Sequence, residues 1–252
     1  MTDLLQARGI TKSFGGVVAV DGVDLDIPEG SITSVIGPNG AGKTTLFNVL
    51  TGFESTDAGT IVFLGERVER LAPWRVAAKG MVRSFQTPVG FPALSVWENL
   101  MVAGTGPRDE SLRAALIGGW RPREGEAHER ARTLLEDLDL WSVHNSLLRD
   151  LPPGDVKLVD FARQLMTRPK LLLLDEPASG VDPRAINRLA GLIRRVRSEG
   201  VTILVIDHNI GFVLGIADYV NVMALGRIIA RGNPEAITHD ERVIEIYLGR
   251  RQ

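Results

Sequence analysis

Eight consecutive residues, Gly37-Pro38-Asn39-Gly40-Ala41-Gly42-Lys43-Thr44, place three glycines ahead of a lysine and a hydroxyl. Glycines let backbone N–H groups curl around phosphate oxygens, a helix starting after them presents its positive end, and Lys43 adds a point charge. Thr44 is placed to ligate magnesium, and Thr45 continues the segment. The run directly follows the apolar ITSVI and precedes the helical TLFNVL, which is the strand, loop and helix order this chemistry needs. A second run, Leu171 to Leu174, is apolar and ends in two carboxylates, Asp175 and Glu176. Open parallel sheets bind ligands at the carboxyl edge of their strands. There Asp175 would hold magnesium through water, and Glu176 would polarise an attacking water. Acidic residues also end strands as ordinary solvated loops, so the pairing with Lys43 is what selects the chemical reading.

Such groups need a sheet to hold them. Short apolar runs rich in valine and isoleucine predict strands at Ser31 to Ile36, Thr60 to Leu64, Leu171 to Leu174, Val201 to Ile206 and Tyr219 to Leu225. Helical patterns separate several of them. Uninterrupted runs such as KLLLLDEP and VTILVIDH suit strands covered on both faces of a parallel sheet. The class is α/β, a mostly parallel sheet with an antiparallel region near the N-terminus.

The middle of the chain has a different period. In REGEAHERARTLLEDLDL, residues Ala127, Ala131, Leu134, Leu135 and Leu138 share one helical face with charges opposite, and Leu158, Phe161, Ala162, Leu165 and Met166 repeat that spacing. Residues 88–169 therefore read as a helical subdomain inserted into a sheet core formed by 1–87 and 170–252. Within it, Gly104 to Gly125, with Pro107, Gly118, Gly119 and Pro122, reads as partly loop. Ser95 and Glu98 form an S-x-x-E capping box, so a helix should start there.

The order of GPNGAGKTT, the glutamine of RSFQ, LPPGD, LLLLDEP, SGVD and IDHN resembles the ATPase subunits of ABC transporters across nearly the whole chain. The resemblance implies a P-loop fold, with ATP and magnesium as cofactors and catalysis of ATP hydrolysis. It implies that Phe14 in KSFGG stacks on adenine, and that Gln86 reaches magnesium and lies where a membrane partner docks. By the same match His208 contacts the terminal phosphate, Gly154 belongs to the signature that faces ATP, and Asp182 signals across a dimer. From the residues alone, Phe14 is a core aromatic, Gln86 an ordinary polar residue, His208 a structural histidine, and Asp182 the cap of a helix beginning at Pro183. The opening FGGVVAVDGV, the segment FPALSVWENLMVAG and the close in VIEIYLG are most similar to importers of branched-chain amino acids and related small solutes. A transmembrane permease, a second ATPase subunit and, indirectly, a solute-binding protein are the implied partners, at the cytoplasmic face of the inner membrane.

One motif departs from that family. Its LSGGQ signature stands here as Leu151-Pro152-Pro153-Gly154-Asp155. Pro152 removes a hydroxyl and a backbone N–H, Pro153 removes a second N–H, and Asp155 brings negative charge towards phosphate while offering a cap to the next helix. A site built on this signature should be weak. The intact residues Lys43, Asp175, Glu176 and His208 would then work with the signature of another subunit, which favours a heterodimer over a homodimer.

Composition sets outer bounds. With 252 residues, 44% hydrophobic and 24% charged, the chain can bury one substantial core. A net charge of -2 lacks the basic footprint of a nucleic-acid binder, and without cysteine there are no disulfides or thiolate metal sites. No run reaches the roughly 20 apolar residues of a membrane span. An ATPase acting on nucleic acid or ribosomes, and a regulatory module that binds ATP without hydrolysing it, are the rival readings. Acidic net charge counts against the first, and the retained Glu176 with His208 against the second.

Overall fold

The computed structural model describes residues 2–85, 90–104 and 121–248. They divide into two units: residues 1–83, 170–179 and 193–252 form one, and residues 84–169 and 180–192 the other.

The first unit carries two sheets. Strands β1 (Asp3–Phe14) and β2 (Val17–Pro28) pair antiparallel about a two-residue turn in which Gly15 takes φ 57°, a region glycine enters without steric penalty. Strand β4 (Ala58–Phe63) joins the other side of β1, and β5 (Glu66–Arg67) ends the order β2-β1-β4-β5. Leu5, Ala7 and Ile10 from β1 and Val23, Leu25 and Ile27 from β2 enter one apolar cluster with Phe47 and Leu50 of the helix Lys43–Leu50.

The second sheet has six strands. Besides β3 (Ile32–Ile36) it contains β6 (Met81–Arg83), β7 (Leu171–Asp175), β8 (Thr202–Ile206), β9 (Tyr219–Ala224) and β10 (Arg227–Gly232). Their order is β10-β9-β3-β8-β7-β6, with every pair parallel except β9 and β10. All five residues of β3, β7 and β8 are buried, which is why these strands read as unbroken apolar runs. Register aligns the ends of these three strands. Val35 and Asp175 both lie level with Ile206, so the residues after β3, β8 and β7 emerge side by side at one edge.

The second unit is helical. Its helices Val96–Gly104, Arg121–Asp137 and Pro153–Met166 pack through Leu100, Ala131, Leu135 and the buried face Leu158, Phe161, Ala162, Leu165 and Met166. Each Leu, Phe or Met side chain among them contributes about 2 kcal/mol relative to exposure. The Ser95–Glu98 capping box is formed: Glu98 N donates to Ser95 Oγ at 3.1 Å, and Ser95 N donates to Glu98 Oε2 at 2.7 Å. Buried Asn99 then holds the entering chain, accepting from Phe91 N at 2.8 Å and donating to the carbonyls of Phe91, Leu94 and Ser95. Trp141 and His144 stack 4.3 Å apart, with Trp97 edge-on to Trp141. Of the stretch expected to be partly loop, residues 105–120 lie outside the described ones, but residues from Arg121 are helical.

Candidate active site

Strand β3 delivers the chain into the glycine loop. Gly37 lies so close to the Met223 carbonyl that a Cβ would overlap it, and Gly42, at φ 98°, has the Ala19 carbonyl where a Cβ would stand. Backbone from β2 and β9 thus presses on the loop from behind, and only glycine fits at these two positions. Gly42 begins the helix Lys43–Leu50 without any side-chain cap, and no acidic residue occupies the first turn. The helix dipole is therefore uncompensated by protein at the end where an anion would sit. Lys43 is 8% exposed, and its Nζ donates to the carbonyls of Gly37 and Pro38 at 2.8 Å each, holding the ammonium over the loop. Burial lowers its pKa, while Glu176 and Asp175 pull in the opposite direction. Pro38, Asn39, Gly40 and Thr44 are exposed, Thr45 is half-buried, and Ala41 is buried, its carbonyl accepting from Gly226 N at 3.0 Å.

Asp175 closes β7 with its carboxylate almost wholly buried, accepting from Arg83 Nη2 at 2.8 Å. Burial raises its pKa, opposed chiefly by the hydrogen bond and charge of Arg83. Glu176 comes next in the left-handed region, φ 50°, where a side chain such as glutamate is strained. Its amide donates to the Ile206 carbonyl at 2.7 Å, so β8 holds the strained turn in place. The Glu176 carboxylate lies 3.8 Å from His208 Nδ1. A nucleotide's terminal phosphate held at the glycine loop would meet a lysine, two carboxylates and an imidazole contributed by three neighbouring strand ends.

Asp207 stands inside the IDHN run, where the motif gives it no role of its own. It has no exposed surface, and its carboxylate accepts from Ala178 N at 2.9 Å and from Asn209 N at 2.8 Å. Asn209 in turn caps the helix Ile210–Ile216 by accepting from Phe212 N at 3.0 Å. His208 is thus set between an anchored carboxylate and a helix cap. The available signal is an acid ending an apolar strand beside a histidine, the same pattern that marks Asp175. Arg83 likewise opens the RSFQ run without a role of its own, since β6 has three residues and shows no period.

Phe14 stands at the end of β1, 47% exposed, with Lys12 Nζ 5.2 Å from its ring centroid. An exposed aromatic is not the core residue its neighbourhood suggested. Gln86 lies outside the described residues.

Gly154 and Asp182 belong to the helical unit. Pro152 is the N-cap and Pro153 the first residue of the helix Pro153–Met166. Proline is favoured at that position, because its missing N–H has no partner within the helix. The second proline therefore suits the fold, and its consequence is confined to one lost anion donor. Asp155 does not cap this helix: no side chain does, and Asp155 lies within the first turn. Gly154 faces the backbone of residues 180–182, with the Gly180 carbonyl 3.5 Å from where a Cβ would stand. Asp182 accepts from Arg184 N at 2.8 Å, so it does cap the helix Pro183–Ser198.

A glycine loop between a buried parallel strand and a helix, with acidic residues ending the neighbouring strands, defines a P-loop nucleotide hydrolase. The sequence profile of the family described as "ABC transporter" matches residues 20–179, and that of "Branched-chain amino acid ATP-binding cassette transporter" matches residues 227–251. The chain is 41% identical over 249 residues to the high-affinity branched-chain amino acid transport ATP-binding protein BraF of Pseudomonas aeruginosa, covering 98% of both chains. It is 36% identical over 251 residues to the probable branched-chain amino acid transport ATP-binding protein LivG of Methanocaldococcus jannaschii, again with 98% of each covered. A nucleotide-free ATP-binding cassette from an ABC transporter superposes with a TM-score of 0.84 at 35% identity, covering 99% of this chain and 100% of that one. The same cassette type in an ADP conformation gives a TM-score of 0.84 over the same shares. The chain belongs to the ABC transporter family, as one of its nucleotide-binding ATPase subunits. Such subunits serve membrane transport systems, and among the described residues no helix is long and apolar enough to cross a membrane.

Proposed function

We propose that this chain hydrolyses ATP to drive import of branched-chain amino acids or related small solutes through a separate permease, held at the cytoplasmic face of the inner membrane by that partner. The observation that carries the reading is the shared edge of β3, β7 and β8, where Asp175, Glu176 and His208 lie at or just after adjacent strand ends and Lys43 follows the loop that leaves β3. The solute class rests on the names of the relatives and on the match at residues 227–251.

Within this reading the glycine loop and the helix N-terminus bind the phosphates, and Lys43 offsets their charge. Glu176 orients a water and accepts its proton, and His208 fixes the terminal phosphate beside it. Phe14, exposed at the β1 end, stacks on the base. Magnesium suits the oxygen donors Asp175 and Thr44, with Gln86 assigned by family likeness. Among the described residues no three His, Cys, Asp or Glu gather to hold an ion by themselves, which fits a metal bound by one carboxylate, one hydroxyl and substrate phosphates. When bound, the ion would neutralise charge developing on the phosphoryl oxygens.

The opposing side of the site would come from a second ATPase subunit. Here the helix at Pro153 retains Gly154 and Asp155 as N-terminal donors, but Pro152 and Pro153 supply none. A well-aimed donor to transition-state charge contributes about 3 kcal/mol, roughly a hundredfold in rate. A partner with an ordinary signature would complete the productive site, so a heterodimer is the working arrangement. Asp182, at the start of the Pro183 helix, transmits between subunits. A tagged chain purified from its native membrane should bring down a polytopic permease and a second ATPase subunit. Recovery without any membrane-spanning chain, or ATPase activity stimulated by DNA, would overturn the proposal.

A further inference from the structure

Arg83 ends β6 with its side chain almost wholly buried, and it opens the RSFQ run three residues before Gln86. Its guanidinium reaches acceptors on two other elements. Nη2 donates to Asp175 Oδ2 at 2.8 Å, and Nη1 donates to Asn48 Oδ1. The flat cation also lies against two rings, 5.6 Å from the Phe47 centroid and 5.9 Å from that of Phe53. One rigid fork thus joins β6, β7 and the helix Lys43–Leu50. A lysine, a point charge on a flexible stem, cannot make both bonds in a fixed plane.

Burying an ion pair is not an efficient route to stability, since apolar residues of similar volume often serve as well. What the pair does supply is position. The bond at Oδ2 helps fix the plane of the Asp175 carboxylate. Asn48 lies four residues after Thr44 on the same helix, so the two share a face. Arg83 therefore sets the spacing between the carboxylate and the helix turn that carries the Thr44 hydroxyl.

We propose that Arg83 is a positioning residue that tunes the magnesium affinity of the nucleotide site by holding Asp175 and the Thr44-bearing helix in one frame. The inference rests on Asp175 being the carboxylate that binds the metal. Residues that orient metal ligands typically change affinity by about 10- to 100-fold when removed.

The test measures binding of the slowly hydrolysed analogue ATPγS by calorimetry, in saturating magnesium and in EDTA, and takes the ratio of the two dissociation constants. Arg83→Met should lower this magnesium enhancement about tenfold or more, with the constant in EDTA within about twofold of wild type. Arg83→Lys should fail to restore it, and Asn48→Ala should move it the same way by less. Asp175→Asn is the control and should lose the enhancement. If Asp175→Asn loses it and Arg83→Met keeps it, the inference about Arg83 is wrong while the metal site stands. If Asp175→Asn keeps it, the assignment of Asp175 fails and the inference with it. Equal weakening in magnesium and EDTA would reduce Arg83 to a structural role and overturn the proposal. Should Arg83→Met not fold, Asn48→Ala decides, and an unchanged ratio there is contrary.

Discussion

The carboxylate of Asp207 accepts a hydrogen bond from the amide of Ala178 across 2.9 Å, tying the loop after Glu176 to the strand end that carries His208. A second bond from Asn209 N loads the other oxygen of the same buried group. Asp207→Ala would leave two amides without this acceptor, of which that of Ala178 is buried, destabilising the fold by about 1–3 kcal/mol by the usual value for an unpaired buried donor. Urea unfolding should show that loss. ATP turnover should fall by more than ATP affinity, because Glu176 and His208 lose their common anchor while the glycine loop does not.

Lys43 balances phosphate charge that the backbone amides alone do not neutralise. Lys43→Ala should weaken ATP binding about tenfold or more, the worth of one charge-assisted contact, and abolish hydrolysis while the fold survives. Calorimetry with ATP and a far-UV spectrum check the two halves. Turnover near wild type in the folded variant would contradict the assignment.

The capping box gives a signed pH effect. Hydrogen bonds from the Ser95 backbone, then its side chain, hold the pKa of Glu98 below its ordinary 4.5. A lowered folded value means that the stabilising contribution is fully present above the ordinary value and is lost as pH falls through the lowered one. Glu98→Gln should remove this part of the acid dependence, seen as a smaller fall in melting temperature between neutral and acid pH for the variant than for wild type.

The parts legible in the sequence are those where one local pattern settles the outcome. Strands β3, β7 and β8 are buried on both faces and read as pure apolar runs, and the loop between β3 and its helix is specified by glycine spacing. Ser95 and Glu98 announce their helix by a three-residue spacing. Strands β1 and β2 are harder, because Gly9, Gly22, Asp24 and Asp26 interrupt the alternation while β-bulges absorb the irregularity. Arg83 and Asp207 stand inside the RSFQ and IDHN runs, but their contacts are invisible for another reason. Asn48 lies 35 residues from Arg83, Asp175 lies 92 away, and Ala178 lies 29 from Asp207, so only the assembled sheet brings each set together. The two prolines before Gly154 read as damage to a signature, although the second of them occupies a favoured helix start.

That placement sets two effects of the signature against each other. Pro153→Gly restores an N–H but removes a residue suited to its position, so the melting temperature should fall, by about 0.5–1 kcal/mol in stability. Pro152→Ser restores a hydroxyl. The double variant should raise the ATPase rate of this chain alone, with a smaller effect in complex with a partner bearing an ordinary signature. Full transporter rate from the unmodified chain alone, unchanged by the substitutions, would refute the asymmetric arrangement.

The central claim is that the edge formed by β3, β7 and β8 performs hydrolysis in the assembled transporter, with Glu176 accepting the proton of the attacking water. The direct measurement is the ATPase rate of the membrane complex purified through a tag on this chain, wild type against Glu176→Gln. An amide fills the same space without accepting a proton, so the rate should fall by about 10²- to 10⁴-fold while ATP binding persists. A complex with Glu176→Gln that binds ATP and hydrolyses it at the wild-type rate would contradict the account.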